Sequence, residues 1–343
     1  MSKNIRLRLR FYTIDSIAAF LDGPRARQAF VLRAVLDPPW SLYVRDEAPL
    51  TVLAMTRGEA WIASNGTDPC RFRVGDVAIM RGPDHYTVAD DPTSPVSIVI
   101  EPGQRCLSPD GEPLTERFAR GVRTWGNCPP GSDGTMSMLV GTYVTDSHIG
   151  RRLLDALPVM TLLRDDEWDS PLVSLLGDEV IRDAPGQGVV LDRLLDLLLV
   201  SALRAAFGRH AGDLDEDGRR DAHGPWGWFR AHADPVAGPA LRLIEDDPSQ
   251  AWTVAALASK VGVSRAHLAR RFSDAVGEPP MTYLTSWRMA LAADLMLAAD
   301  STVTAVAQQV GYGSPFTFST AFKRAHGVSP RAYRNAATER DTA

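Results

Sequence analysis

Val254-Ala-Ala-Leu-Ala-Ser-Lys-Val-Gly262 and Val303-Thr-Ala-Val-Ala-Gln-Gln-Val-Gly311 are two copies of one pattern, about 50 residues apart. The match continues past the glycines. Ser264 aligns with Ser314 after one inserted residue, Gly313. Leu268 then aligns with Phe318, Phe272 with Phe322, Gly277 with Gly327, Pro280 with Pro330 and Tyr283 with Tyr333. Each copy reads as a short helix, a turn at glycine, a serine in N-cap position and a second helix. Glycine permits the positive φ of a tight turn. The serine oxygen can take an amide left free at the helix start. Leu257, Val261, Leu268 and Phe272 form the apolar seam of the first copy; Val306, Val310, Phe318 and Phe322 form that of the second. This is a helix-turn-helix signature, present twice. Between the copies, Met281–Ala299 predicts one long helix of about 28 Å. Such a rod could space two reading helices about 34 Å apart, roughly one turn of DNA.

The seam fixes which face looks outward. In the first copy Arg265, Ala266, Ala269, Arg270 and Ser273 remain outside. Arg270 is the best base reader, because arginine can pair bidentately with guanine. Ala266 and Ala269 would let the helix lie deep in the groove. In the second copy Pro315, Phe316, Ser319 and Thr320 face out, and Phe316 suits a thymine methyl or a sugar. Ser264, Ser314, Thr317, Lys323 and Arg324 are expected phosphate contacts. Arg271, Arg331 and Arg334 add to the basic clusters.

Residues 235–334 resemble the DNA-binding domain of the AraC/XylS family of transcription regulators, most closely from Val303 to Arg334 (VTAVAQQVGYGSPFTFSTAFKRAHGVSPRAYR). Many members carry polar or Arg side chains where Phe316 and Thr320 stand. That departure predicts weak hydrogen-bonded readout by the second copy.

Upstream, the pattern changes twice. Residues 208–233, rich in Gly, Asp, Arg and His, are expected to be a linker. Ile149–Leu157, Pro171–Ile181 and Val189–Phe207 have helical spacing. The last is too apolar for a simple surface helix and predicts either a core helix or a homodimer interface. From residue 25 to 100, short apolar runs alternate with turns: Ala29–Leu36, Trp40–Val44, Leu50–Met55, Ala60–Ala63, Val77–Met80 and Val96–Ile100. That spacing predicts a sandwich or barrel. Residues 102–134 read as a long loop, and Met136–Thr145 as a further strand. The fold class expected is therefore α+β. A barrel fills 1–148, a helical extension 149–207, a linker 208–233 and an all-α domain of two helix-turn-helix units 234–343.

The net charge of −5 argues against a protein that coats nucleic acid by bulk charge. From Asp234 to the end there are 11 Lys and Arg against 10 Asp and Glu, so the acidity belongs to the preceding residues. The 343 residues suit two domains, and no run of 18 apolar residues without a charge predicts a membrane span. Met1–Phe11 alternates Arg with Leu or Ile and is no secretory signal. Three cysteines cannot build a disulfide framework, which points to a cytoplasmic location.

The strand-rich segment resembles the cupin-type effector domain found ahead of AraC-like domains. The resemblance rests on Pro39-Trp40, Gly58-Glu-Ala-Trp61, Val74-Gly-Asp76, Gly82-Pro-Asp-His85, Arg123-Thr-Trp-Gly126, Gly141-Thr-Tyr143 and Leu153–Pro158. It implies an interior pocket for a small-molecule effector, with Trp40, Trp61, His85 and Tyr86 as candidate lining residues. It also implies promoter DNA, a second copy of the chain and RNA polymerase as candidate partners. A cupin metal site takes a His pair, a Glu and a further His. His85 matches the last, but Leu50–Arg57 supplies no His pair, so no metal and no cofactor are expected. No catalytic motif stands out, and the chain is expected not to be an enzyme. Two alternatives remain: a redox switch using Cys106 and Cys128, which bracket the Gly- and Pro-rich stretch, or a cupin enzyme with a regulatory DNA-binding tail.

Overall fold

The structure is a computed structural model. It describes residues 30–341, apart from 65, 122, 144–146, 169, 211–223, 299 and 300. The expectations for Met1–Phe11, for most of the linker and for the end of the long helix at Ala299 fall outside the described residues. The chain divides into two compact units, one from 30–143 with 154–210 and one from 147–153 with 224–341.

The first unit is built on two sheets. One has seven strands in the order β10-β11-β1-β12-β3-β6-β13. These are β1 (Phe30–Leu36), β3 (Leu50–Arg57), β6 (Val77–Arg81), β10 (Ala119–Gly121), β11 (Thr124–Trp125), β12 (Met136–Tyr143) and β13 (Met160–Leu163). The other is ordered β5-β4-β7-β2-β8-β9. It comprises β2 (Ser41–Val44), β4 (Glu59–Ser64), β5 (Cys70–Arg73), β7 (Tyr86–Ala89), β8 (Ile98–Glu101) and β9 (Arg105–Leu107). Both are mixed: β1 runs parallel to β11, and β2 parallel to β8. Period-two alternation sets the inner face. On β12, Met136, Met138 and Val140 join the core between the sheets. Ser137, Leu139, Gly141 and Tyr143 turn the other way, where Leu195 lies against Gly141 and Tyr143 Oη meets Asp196 at 3.4 Å.

Four helices belong wholly or partly to 148–210: α1 (His148–Asp155), α2 (Asp165–Trp168), α3 (Leu172–Val180) and α4 (Gln187–His210). The apolar run Val189–Phe207 is indeed one long helix. Leu191, Leu195, Leu198, Leu199, Ala202, Leu203 and Ala206 are its buried side. Val189, Val190 and Leu197 stay exposed.

Three expectations need correction. Residues 102–134 are not one loop, since β9, β10 and β11 lie within them. Strands of two or three residues leave no apolar run to read. The expected linker is helical at its end: α5 (Gly227–Ala233) buries Phe229 and Ala231, and Trp226 is buried beside it. Residues 147–153, assigned above to the barrel and helical extension, pack instead with the C-terminal unit.

That unit continues with α6 (Ala237–Asp246), α7 (Val254–Val261), α8 (Arg265–Val276), α9 (Pro280–Met296), α10 (Val303–Gln309), α11 (Pro315–His326) and α12 (Pro330–Asp341). It has two cores. Leu257, Leu268 and Phe272 lie in one; Val306, Val310, Phe318 and Phe322 lie in the other. The helix α9 feeds both. Tyr283, Leu284 and Trp287 enter the first core, Met289, Ala293 and Met296 the second. Its 17 residues span about 25 Å, roughly half a turn short of the length expected from sequence. It is nevertheless a wall shared by the two helix-turn-helix cores and buried on several sides.

Candidate functional site

The repeat places two equivalent helices on the C-terminal unit. Ser264 Oγ accepts the amide of His267 at 3.2 Å and starts α8. Ser314 Oγ accepts the amide of Thr317 at 3.2 Å and starts α11. Gly262, which ends α7, has a φ of 81°, where a side chain would be strained. Leu268 and Phe272, like Phe318 and Phe322, are fully buried. That fixes the outward faces.

On α8, Arg265, Ala266 and Arg270 are exposed, and Ala269 and Ser273 are half-buried. The side chains expected to read bases therefore share one open face. Two details were not legible. His267, exposed in the first turn, extends this face. Arg271 is committed elsewhere: its guanidinium pairs at 2.5 Å with the buried carboxylate of Asp234. The other oxygen of Asp234 accepts the amides of Val236 and Ala237, both at 2.9 Å. Burial pushes this acid up, but the two amides and Arg271 outweigh it and hold it below the usual carboxylate range.

On α11, Pro315, Phe316, Thr317 and Thr320 are exposed and Ser319 is half-buried. Phe316 is 83% exposed, the most of any large apolar side chain described. Ser319 donates its hydroxyl to Pro315 O at 2.8 Å, and Thr320 donates to Phe316 O at 3.1 Å. Both keep only acceptor capacity for a ligand. The Thr317 hydroxyl meets Ser314 Oγ at 2.9 Å. Pro315 has no N–H, so α11 offers fewer free amides at its start than α8. The two faces differ in kind: α8 presents charged donors, α11 an apolar knob.

Arg265, Arg270, Lys323, Arg324 and Arg331 are exposed and carry no ion pair among the described residues. Arg334 departs from expectation. It bonds Met296 O at 3.1 Å and Ser301 Oγ at 2.9 Å, closing the end of α9.

In the barrel, Trp40 and Tyr86 are buried in the core between the sheets. Trp40 also lines an open pocket of about 600 Å³ with Gly58, Glu59, Arg73 and Asp90 among its walls. Trp61 and His85 are not part of this interior. Trp61 sits beneath Arg71, 5.2 Å from its ring centre, on the opposite side of β4 from the buried Ala60 and Ile62. His85 Nδ1 lies 2.9 Å from the Tyr43 hydroxyl. A one-residue parity error moves a side chain to the other face, and the sequence left that parity open. Trp125 and Thr142, which do line the interior, stand in two of the stretches that carry the cupin resemblance, but nothing in their spacing marks them as lining residues. Among the described residues, no three His, Cys, Asp or Glu side chains gather to hold a metal.

Cys70, Cys106 and Cys128 are free thiols. Burial pushes the Cys106 thiol up to about 11, a Thr115 hydrogen bond opposing it. Such a thiol carries little thiolate at neutral pH, which opposes redox chemistry. Cys128 is fully buried. None of the described helices is long and apolar enough to cross a membrane.

Comparison with known proteins agrees with this geometry. Residues 15–208 match a cupin family model, and 257–336 match a helix-turn-helix domain model. An AraC-like transcription regulator of Streptomyces lividans is 31% identical over 299 residues, covering 85% of this chain and 89% of its own. Another, of Streptomyces antibioticus, is 29% identical across 94% of this chain and 98% of its own. Among solved structures, the DNA-binding domain of AdpA, crystallised with a target DNA, is 34% identical. It covers 31% of this chain and 96% of its own, with a TM-score of 0.29. With a cupin barrel ahead of two helix-turn-helix units, the chain belongs to the AraC-like transcription regulators.

Proposed function

We propose that α8 and α11 enter successive major grooves of promoter DNA. In this reading Arg265, Ala266, Ala269 and Arg270 face bases from α8, as do Pro315, Phe316, Ser319 and Thr320 from α11. Ser264, Ser314, Thr317, Lys323 and Arg324 contact phosphate. The observation that carries the reading is the pair of equivalent, capped helices, with cations outside any ion pair on the outward face of α8 and in the last turn of α11. Base recognition rests chiefly on α8. Arg270→Ala should weaken binding to the selected site by about 1–3 kcal/mol and relax one base position. Footprinting and fluorescence anisotropy on a duplex selected from a random pool measure both. Wild-type affinity and an unchanged footprint would overturn this assignment.

The barrel, in the same proposal, senses a small-molecule effector and controls promoter binding. Such a protein works in the cytoplasm, meets RNA polymerase at the promoter and is not an enzyme. Exposed apolar side chains on α4 favour a homodimer through that helix. Leu197, 54% exposed, follows Val190 by two helical turns. Leu197→Asp should convert the dimer to monomer in light scattering at micromolar concentration. A wild-type protein already monomeric there would remove the dimer.

A further inference from the structure

The barrel core holds a partly open cavity of about 50 Å³. Two buried polar atoms of its lining residues have no hydrogen-bond partner: the indole N–H of Trp125 and the hydroxyl of Thr142. Those residues are only 6% and 4% exposed. Buried donors are nearly always paired, so two unpaired ones among the lining residues ask for an accepting ligand atom once the cavity opens to them.

The ladder fixes where the two stand. Trp125 lies beside Ala34, which pairs with Met138 across β1 and β12. Thr142 is four residues further along β12, about 13 Å at 3.3 Å per residue. The two therefore stand at well-separated points along the sheet. The cavity's other lining residues are mostly aliphatic, and none is cationic. Asp46, its one charged lining residue, already accepts Gln104 Nε2 at 3.0 Å and the Ala48 amide at 3.1 Å.

The cavity as it stands would hold no more than a few waters. Its surroundings can give way, however. Met55, Met80, Met136 and Met138 all belong to this core. Unbranched thioether side chains repack around an apolar guest more readily than Val or Ile do.

We propose that the barrel interior binds a neutral, slender, mainly apolar molecule with one hydrogen-bond-accepting oxygen, of the ketone or ester class. The oxygen accepts the Trp125 N–H, and the chain runs along Met138 toward Thr142. A carboxylate would meet Asp46 and no cation. A sugar would bury more hydroxyls than the wall can pair. An ammonium group would give up its hydration for a single carboxylate whose two oxygens each already accept a hydrogen bond. This inference rests on the effector reading above.

Calorimetry on the full chain tests it with four probes: methyl pentyl ketone, its alkene isostere carrying C=CH2 in place of C=O, heptanoate and heptylamine. The ketone should bind about five- to tenfold tighter than the isostere, the value of one neutral hydrogen bond. Heptanoate and heptylamine should bind more weakly still. Trp125→Phe should reduce ketone binding to the level of the isostere and leave the isostere unchanged. The ligand pair alone decides the matter where that variant fails to fold. Equal binding of ketone and isostere, tighter binding of either charged probe, or no binding of the ketone would overturn the proposal. Anisotropy with the selected duplex separates the two levels. Ketone binding that leaves DNA affinity unchanged would remove the effector reading and keep the site. DNA binding by a chain that ignores the ketone would remove only the ligand class.

Discussion

Phe272→Ala is expected to cost about 3–5 kcal/mol and to abolish DNA binding. Phe272 is fully buried in the first helix-turn-helix core, edge-on to Tyr283 with ring centres 5.8 Å apart. It is also two residues from Arg270 on the same helix. Truncation removes an aromatic contact and leaves a cavity that neighbours fill only in part. The helix carrying the expected base reader then loses its anchor. Urea unfolding of the C-terminal unit, followed by helical circular dichroism, measures the loss. Phe316→Ala is the control, because an exposed side chain should leave stability within about 0.5 kcal/mol. A Phe272→Ala transition within 1 kcal/mol of wild type would show that the first core tolerates the cavity.

Glu245→Ala is expected to be of similar size, about 3–5 kcal/mol. The Glu245 carboxylate is 1% exposed. It accepts the Tyr283 hydroxyl at 2.5 Å and lies 2.9 Å from His232 Nε2. Burial, with the Glu245 charge adding to it, pushes the Tyr283 phenol well above its ordinary value, so Tyr283 donates as a neutral hydroxyl. Alanine would leave that hydroxyl buried without its acceptor. Glu245→Gln keeps one acceptor oxygen and should cost less than half as much. Parallel urea titrations of the two variants compare them. Equal losses would show that the packing volume, and not the hydrogen bonds, holds this junction of α6 and α9.

The C-terminal unit was legible because its rules are local. A serine cap, a glycine turn and a seam at helical spacing each occur twice in one register, so each copy checks the other. The barrel was legible where strands are long and apolar, as in Leu50–Arg57 and Met136–Tyr143. It was not legible at Cys70–Arg73, whose Cys-Arg-Phe-Arg alternation contains one fully buried side chain, Phe72. The pocket residues fared worst. Trp61 and Trp40 look alike in sequence, and only strand pairing puts one beneath an arginine and the other in the core. The commitment of Arg271 to Asp234 joins residues 37 positions apart. Sequence spacing shows a cation there but not its partner.

One contact bears on how the DNA-reading part can be handled on its own. Ser147 Oγ donates to Asp294 at 2.8 Å, and the amides of His148 and Ile149 reach the same carboxylate at 2.7 and 3.2 Å. Asp294 is on α9, the wall shared by both cores. Burial pushes its acid up, with these three donors opposing the shift. A fragment cut at residue 213 would strip away all three and leave a desolvated carboxylate on the central helix. The compact unit is thus discontinuous in the sequence. A faithful minimal version would graft residues 147–153 back onto the truncated chain instead of simply starting later.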